Sequence, residues 1–155
     1  MLEIIEKTMK DPKIQKLVKE DFFLGSVFGS IQDKELDKGL VNEWILHFFN
    51  PKTQTVVDCF FTDSVVIGKE TPAIKEMKEL NTKDLKITFE QAFETVKNDF
   101  KLRPTNVLIS LHNDNSKLVW TINMITPDLM ATRYDIDASN GEILAKKKTC
   151  LMRRV

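Results

Sequence analysis

Two stretches of the chain, 76 residues apart, share one arrangement of residues. Each begins with a tryptophan, Trp44 or Trp120, and a proline follows seven residues later, Pro51 or Pro127. A short polar turn and a second run of alternating apolar residues come next in both stretches. A repeat of this kind is typical of one supersecondary unit used twice, with each copy covering apolar surface of the other. The sequence therefore predicts two similar units packed as one compact, pseudo-symmetric body.

Helical patterns stand at the start of each predicted unit. Apolar residues at near 3.6-residue spacing predict helix over residues 2–20, with a break at Pro12, which suits the first position of a second helix. The clearest predicted helix covers residues 89–100. Thr88 and Gln91 form a capping box in front of it, because the hydroxyl accepts from an early backbone N–H while the amide reaches back to the cap.

Alternating apolar residues predict strands after each helix. They cover residues 22–30, 43–50, 55–62, 105–112, 117–126, 131–138 and 142–150, with a shorter strand at 65–67. A helical turn is expected over residues 73–80, after Pro72. The predicted fold class is therefore α+β, with two helix-plus-antiparallel-sheet repeats at residues 1–75 and 76–155. Each half is small for an independent core, so we expect the two to pack on each other.

Composition narrows the class of protein. The chain has 155 residues, is 42% hydrophobic and carries 23 basic and 23 acidic residues, so it offers no global electrostatic case for nucleic-acid binding. The basic residues near its end, 146–148 and 153–154, are expected to belong to a solvated last strand or a frayed end. No segment reaches 18 consecutive apolar residues, and the first residues do not resemble a signal peptide. The sequence as written predicts a cytoplasmic protein, or an extracytoplasmic one if a leader precedes it.

The second half resembles PepSY-type domains. The resemblance rests on the capped helix opening at residues 87–92, on residues 120–122, and on the strand and turn of residues 134–144, which end in Asn-Gly-Glu-Ile-Leu. The first half is similar to the same unit more weakly and counts as a degenerate copy. The resemblance implies small, cystatin-like α+β units that are associated with peptidase inhibition or local regulation, mostly outside the cytoplasm. It supplies no catalytic residues.

Apolar residues occupy both faces of the predicted sheet. Because side chains alternate along a strand, one set that includes Trp44, Trp120 and Tyr134 is assigned to the core under the helices. The opposite face still carries six apolar residues: Ile45, Phe49, Val56, Phe60, Val119 and Ile125. Large apolar patches usually mark an interface. These six residues are the candidate binding site, covered by the other repeat, by a second chain, by a peptide or protein partner, or by a small apolar ligand.

Few residues suggest chemistry. His47 and Cys59 are predicted to lie on opposite sheet faces, and His112 sits beside a polar turn, so the sequence offers no converging ligand set for a metal. Asp135 and Asp137 share a strand face and are expected to point to water. No motif for a cofactor is present. We therefore expect no catalytic residues, no metal and no cofactor.

The function predicted from the sequence is that of a small, non-catalytic binding or regulatory protein. It would use the second sheet face or an exposed edge strand to bind a protein or peptide, without nucleic acid and without a membrane span. One alternative is a structural homo-oligomer, such as a homodimer, in which self-association hides the apolar patch. The other is a small enzyme with a site between the repeats, which a deep mixed pocket holding His47 or Glu43 would favour.

Overall fold

The computed structural model describes residues 1–152 of the chain. The described helices are α1 (Leu2–Lys10), α2 (Pro12–Lys19) and α3 (Phe89–Asp99), with short 3₁₀ turns at Asp33–Lys38 and Thr82–Asp84. The strands of the first half are β1 (Phe23–Gln32), β2 (Trp44–Asn50), β3 (Thr55–Phe61) and β4 (Val65–Pro72). Those of the second half are β5 (Asn106–Asp114), β6 (Lys117–Ile125), β7 (Met130–Asp137) and β8 (Ile143–Cys150).

All eight described strands form one open antiparallel sheet in the order β4-β3-β2-β1-β5-β6-β7-β8. Each half is a meander of four consecutive strands, and the halves meet where β1 pairs with β5, with Val27 opposite Leu111. The fold class is therefore α+β, as the sequence predicts. Outward from the β1–β5 pair, each half continues with its second, third and fourth strand in turn. The division into repeats at residues 1–75 and 76–155 stays a prediction.

The helix boundaries follow from local chemistry. Asp11 caps α2, because its carboxylate accepts a hydrogen bond from the Lys13 N–H at 2.9 Å while Pro12 occupies the first helical position. The predicted break in residues 2–20 is confirmed. The predicted capping box of Thr88 and Gln91 is also present, with both of its hydrogen bonds made. The starts of these helices therefore follow from residues close in sequence and do not require packing against the sheet.

The helices cover one face of the sheet, and the core lies between them. Side chains from α1, α2 and α3 join the inward residues of both halves in one buried cluster. Trp44 of the first half and Trp120 of the second contact each other, with ring centroids 6.3 Å apart, and Phe89 of α3 lies against both. The inward set predicted from alternation is confirmed. The two halves therefore share a single core instead of having one each.

The segment between β4 and α3 differs from the prediction. Residues 73–80 form an irregular connection, so the helical turn expected there is wrong. The strand before it is longer than expected and continues to Pro72, because β4 finds a full partner in β3. The connection ends where the Leu80 N–H donates to the Leu24 carbonyl at 2.9 Å and the Leu80 side chain enters the core.

Two further features bear on the sequence predictions. Lys146, Lys147 and Lys148 belong to the exposed edge strand β8, in agreement with the expected solvated last strand. Arg153 and Arg154, the other basic residues near the end of the chain, lie outside the described residues. Among the helices of residues 1–152, none has the length and apolar character that crossing a membrane requires.

Candidate binding face

The face of the sheet turned away from the helices, called the outer face below, carries all six predicted site residues. They alternate along β2, β3 and β6 with residues of the core cluster and are not members of it. Their exposure differs. Phe49 is only 1% exposed and Val119 only 2%, and Val56 is buried as well, whereas Ile45, Phe60 and Ile125 are half-buried. Only this second group is open to a partner in this conformation.

Phe49 illustrates how part of the predicted patch is already covered. Its ring meets the ring of Phe23, the opposite residue on β1, edge to face at a centroid distance of 5.6 Å. Apolar surface that is satisfied inside the chain offers nothing to a partner. The three buried members therefore serve the stability of the molecule.

An apolar row crosses the first half of the outer face. Its four members, called the apolar row below, stand directly opposite one another on successive strands: Phe28 on β1, Ile45 on β2, Phe60 on β3 and Val66 on β4. Val66 is 57% exposed, and the other three are half-buried. The row ends at the sheet edge, so one end of it is open.

A polar hollow of about 500 Å³ continues the outer face into the second half. Its floor consists of polar side chains from four adjacent strands: Ser26, Ser110, His112, Thr121, Asn123 and Arg133. Residues 75–78 of the connection and the β5–β6 turn form its rim. In the sheet register, Phe28 of the apolar row is the neighbour of Ser110. The row and the hollow therefore form one continuous surface.

The rim of the hollow depends on a glycine. Gly25 lies in a bulge of β1, and Met77 of the connection packs directly over it. A Cβ atom on Gly25 would lie 2.8 Å from the Met77 sulfur and 2.9 Å from its Cβ, closer than side chains approach each other. The close approach is what lets the connection lie against the sheet at this point.

A fixed guanidinium stands in the hollow. Arg133 donates through Nε to the Asp135 carboxylate at 3.0 Å, and the Thr121 hydroxyl donates to the same carboxylate oxygen at 2.7 Å. The expectation that Asp135 and Asp137 point to water is wrong. Asp135 is held in this network, and Asp137 is buried and accepts hydrogen bonds from the N–H and hydroxyl of Ser139. Those hydrogen bonds lower the pKa of Asp137.

His112 is the imidazole of the hollow. Burial is the main cause of its lowered pKa, and the positive charge of Arg133 adds to the effect, so the ring is neutral at neutral pH. Its Nδ1 lies 3.3 Å from the Ser110 hydroxyl oxygen. A neutral imidazole and a hydroxyl can both donate to or accept from a ligand.

The residues considered for enzyme chemistry are separated. His47 lies on the outer face and pairs with Asp58 at 2.6 Å, whereas Cys59 faces the core, as the alternation predicts. Burial raises the pKa of Cys59 to about 12, so its thiol is protonated. Glu43 lines a separate hollow of about 210 Å³. Within residues 1–152, no three His, Cys, Asp or Glu side chains converge as a metal would require.

Sequence reasoning missed the polar hollow. It followed apolar residues on the outer face, and the polar ones were assigned to water. A usable signal was present, since Ser110 and His112, Thr121 and Asn123, and Arg133 and Asp135 form polar pairs at period two in three consecutive strands. Side chains at period two share a face. Three such pairs on adjacent strands predict a polar surface of several side chains.

The fold and this surface define a class: a small α+β protein with one open antiparallel sheet, helices on one face and a mixed apolar and polar outer face. Residues 86–147 match the PepSY family, described as "Peptidase propeptide and YPEB domain", so α3 and most of the second meander form a PepSY domain. The expected PepSY resemblance is confirmed for this part of the chain.

A solved structure extends the likeness of fold to most of the chain. It is the crystal structure of a "putative lipoprotein" from Clostridium difficile 630. The superposition has a TM-score of 0.61 and covers 88% of this chain and 89% of the other, at 15% sequence identity. At this identity the likeness concerns the fold alone. Among the curated proteins, none is significantly similar in sequence to this chain.

Proposed function

We propose that this chain is a non-catalytic protein that binds an extended segment of a partner protein across the outer face of its sheet. The single observation that carries the proposal is the continuity of the apolar row with the polar hollow. An open face that combines half-exposed apolar side chains with hydrogen-bonding groups suits a segment of peptide, whose side chains and backbone need both.

The PepSY match supports a regulatory role for this binding. PepSY domains are associated with peptidase propeptides and are generally non-catalytic. A peptidase, or a protein that a peptidase cleaves, is therefore the partner class we propose. In a propeptide-like role, occupancy of the outer face would restrain the partner and would require no chemistry from this chain.

Site-specific photo-crosslinking in the source cells tests the proposal. A photoreactive amino acid replaces Val66 or Ile45 of the apolar row, and Leu102, which is 65% exposed and lies on the helix side, serves as the matched control. We expect a crosslink to another protein from positions 66 and 45 and none from position 102. Mass spectrometry of the product identifies the partner and shows whether it is a peptidase.

The homo-oligomer alternative has its own supporting observation. Val66 is exposed on β4, an edge strand that ends in Pro72 and whose outer edge pairs with no other described strand. If the crosslinks from positions 66 and 45 join two copies of this chain and nothing else, self-association through this edge replaces the proposed function. Equal crosslinking from all three positions contradicts both.

A further inference from the structure

The polar hollow is chemically distinct from the rest of the outer face. Its floor carries six polar side chains, whereas the positions around it include the apolar Phe28, Leu108, Val119 and Ile125. Polar side chains are usual on a sheet face that meets water, but here six of them from four strands line one concave hollow beneath a rim. A ligand that requires several directed hydrogen bonds gives a reason for this arrangement.

Arg133 is prepared to bind an anion. Its Nε donates a hydrogen bond to Asp135, and Asp135 also accepts one from Thr121. These hydrogen bonds hold the guanidinium in one orientation. The Arg133 side chain is 48% exposed, and among residues 1–152 no acceptor bonds its two end nitrogens. Two parallel N–H groups on a fixed guanidinium match the two oxygens of a carboxylate.

The surrounding charges favour a singly charged ligand. Lys75, Lys78 and Arg133 line the hollow together with Glu76 and Asp114. Lys147 stands opposite Arg133 in the register of β7 and β8 and adds a further positive charge beside it. With Asp135 behind the guanidinium, the excess of positive charge is small. A carboxylate fits this balance better than a doubly charged phosphate.

We propose that the hollow binds a carboxylate of the partner segment on Arg133, while a large apolar side chain of the same segment lies on the apolar row. This inference rests on the proposed function and names the ligand it requires. Asn123, which stands opposite Arg133 on β6, supplies a donor beside the guanidinium, and Ser110 supplies another further along the floor.

The sheet geometry sets the spacing of the two groups along the segment. Arg133 on β7 is separated from Phe28 on β1 by three strand gaps and from Ile45 on β2 by four. At roughly 4.8 Å per gap, the separations are about 14 to 19 Å. An extended segment covers about 3.3 Å per residue, so the carboxylate and the apolar residue stand about four to six residues apart.

Synthetic peptides and the intact chain test this inference. Two acetylated, amidated probes carry phenylalanine and glutamate five residues apart with a Gly-Ser spacer, one in each order, because the sheet does not fix the direction of the segment. Their matched controls carry glutamine in place of glutamate. A third probe has phenylalanine and a free terminal carboxylate, which separates a chain end from an acidic side chain as the source. Binding is followed by the amide shifts of the isotope-labelled protein.

We expect a glutamate or free-terminus probe to shift amides of β5, β6 and β7 and to bind at least about tenfold more tightly than its glutamine or amidated counterpart. In Arg133→Gln this preference disappears. Arg133→Lys retains part of it, because lysine keeps the positive charge but lacks the two parallel N–H groups of the guanidinium. The far-ultraviolet circular dichroism of both variants shows whether they are folded.

Two results overturn the inference. One is equal binding of charged and neutral probes that Arg133→Gln does not change. The other is the absence of any shift in β5–β7 at probe concentrations up to about 5 mM, which excludes even weak binding. Both leave the crosslinking from Val66 and Ile45 unaffected, so failure here is distinguishable from failure of the proposed function.

Discussion

Phe49 and Val66 are both apolar residues of the outer face, yet they differ sharply in exposure. Phe49 is 1% exposed and packs on Phe23, whereas Val66 is 57% exposed on an edge strand. The same alternation places both on this face, but only their surroundings decide which is open to a partner. A residue's part in binding therefore cannot be assigned from its face alone.

Phe49→Glu is expected to destabilise the protein strongly. The change removes a buried ring, which typically costs about 3–5 kcal/mol, and adds a carboxylate that burial penalises further. The matched change Val66→Glu is expected to stay within about 0.5 kcal/mol, since that side chain already meets water. Unfolding in urea followed by circular dichroism measures both. Similar losses for the two variants would contradict the burial that separates them.

At the scale of elements, α3 is fastened to the sheet at both ends. At its start, Trp120 of β6 donates from its indole N–H to the Ile87 carbonyl at 3.0 Å. At its end, Asp99 accepts from the Tyr134 hydroxyl of β7 at 2.6 Å and from Lys146 of β8 at 2.7 Å. The helix of the PepSY domain is thus tied to three of its strands by side-chain hydrogen bonds.

The Asp99 contacts predict a dependence of stability on pH. Hydrogen bonds from Lys146 and then from Tyr134 lower the pKa of Asp99 below its ordinary value of 3.8. A carboxyl whose pKa is lowered by folding stabilises the fold at pH values above its ordinary pKa, and this contribution is lost as the pH falls through the lowered pKa. Tyr134→Phe should therefore reduce the free energy of unfolding at neutral pH, with a smaller difference from the parent in strong acid.

Urea unfolding of the parent and of Tyr134→Phe, at a series of pH values from neutral to strongly acidic, measures this effect. Thr88→Ser, which keeps the hydroxyl of the α3 cap, is the control and should follow the parent at every pH. A constant difference between Tyr134→Phe and the parent across the series would mean that the hydrogen bond to ionised Asp99 does not contribute.

At the scale of the whole molecule, the β1–β5 pair holds the two halves together. It continues the hydrogen-bonded ladder across the centre of the sheet, from Ser26 opposite His112 to Gln32 opposite Asn106. The aromatic contact between Trp44 and Trp120 joins the halves in the core beneath it. Without the other half, β1 or β5 would lose the strand on one of its sides and become an edge strand.

A fragment of residues 76–155 is therefore expected to be unstable as a monomer. Its strand β5 would expose the edge that β1 covers in the intact chain, and an exposed edge pairs readily with another chain. We expect dimers or larger species by light scattering after size-exclusion chromatography, with the intact chain at equal concentration as the reference. A monomeric fragment that unfolds cooperatively would show instead that the second predicted repeat is an independent domain.

The sequence by itself determined the local structure and the face of each apolar strand residue. The Asp11 and Thr88 caps, the break at Pro12 and the inward set around Trp120 depend on neighbours in the chain or on a period of two, so each can be worked out from nearby residues. The expected turn at 73–80 is wrong because its conformation depends on distant groups, the Leu24 carbonyl and Gly25.

Only the tertiary structure decided how the halves meet and where the polar hollow forms. Alternation shows which face a side chain occupies but not which strands are neighbours, so the β1–β5 junction had no local signal. The polar hollow needs that junction, because Ser26 and Arg133, 107 positions apart in the chain, reach one surface only when β1 lies beside β5. The burial of Phe49 likewise depends on its opposite residue on β1. Contacts between residues distant in sequence therefore form the hollow and cover Phe49.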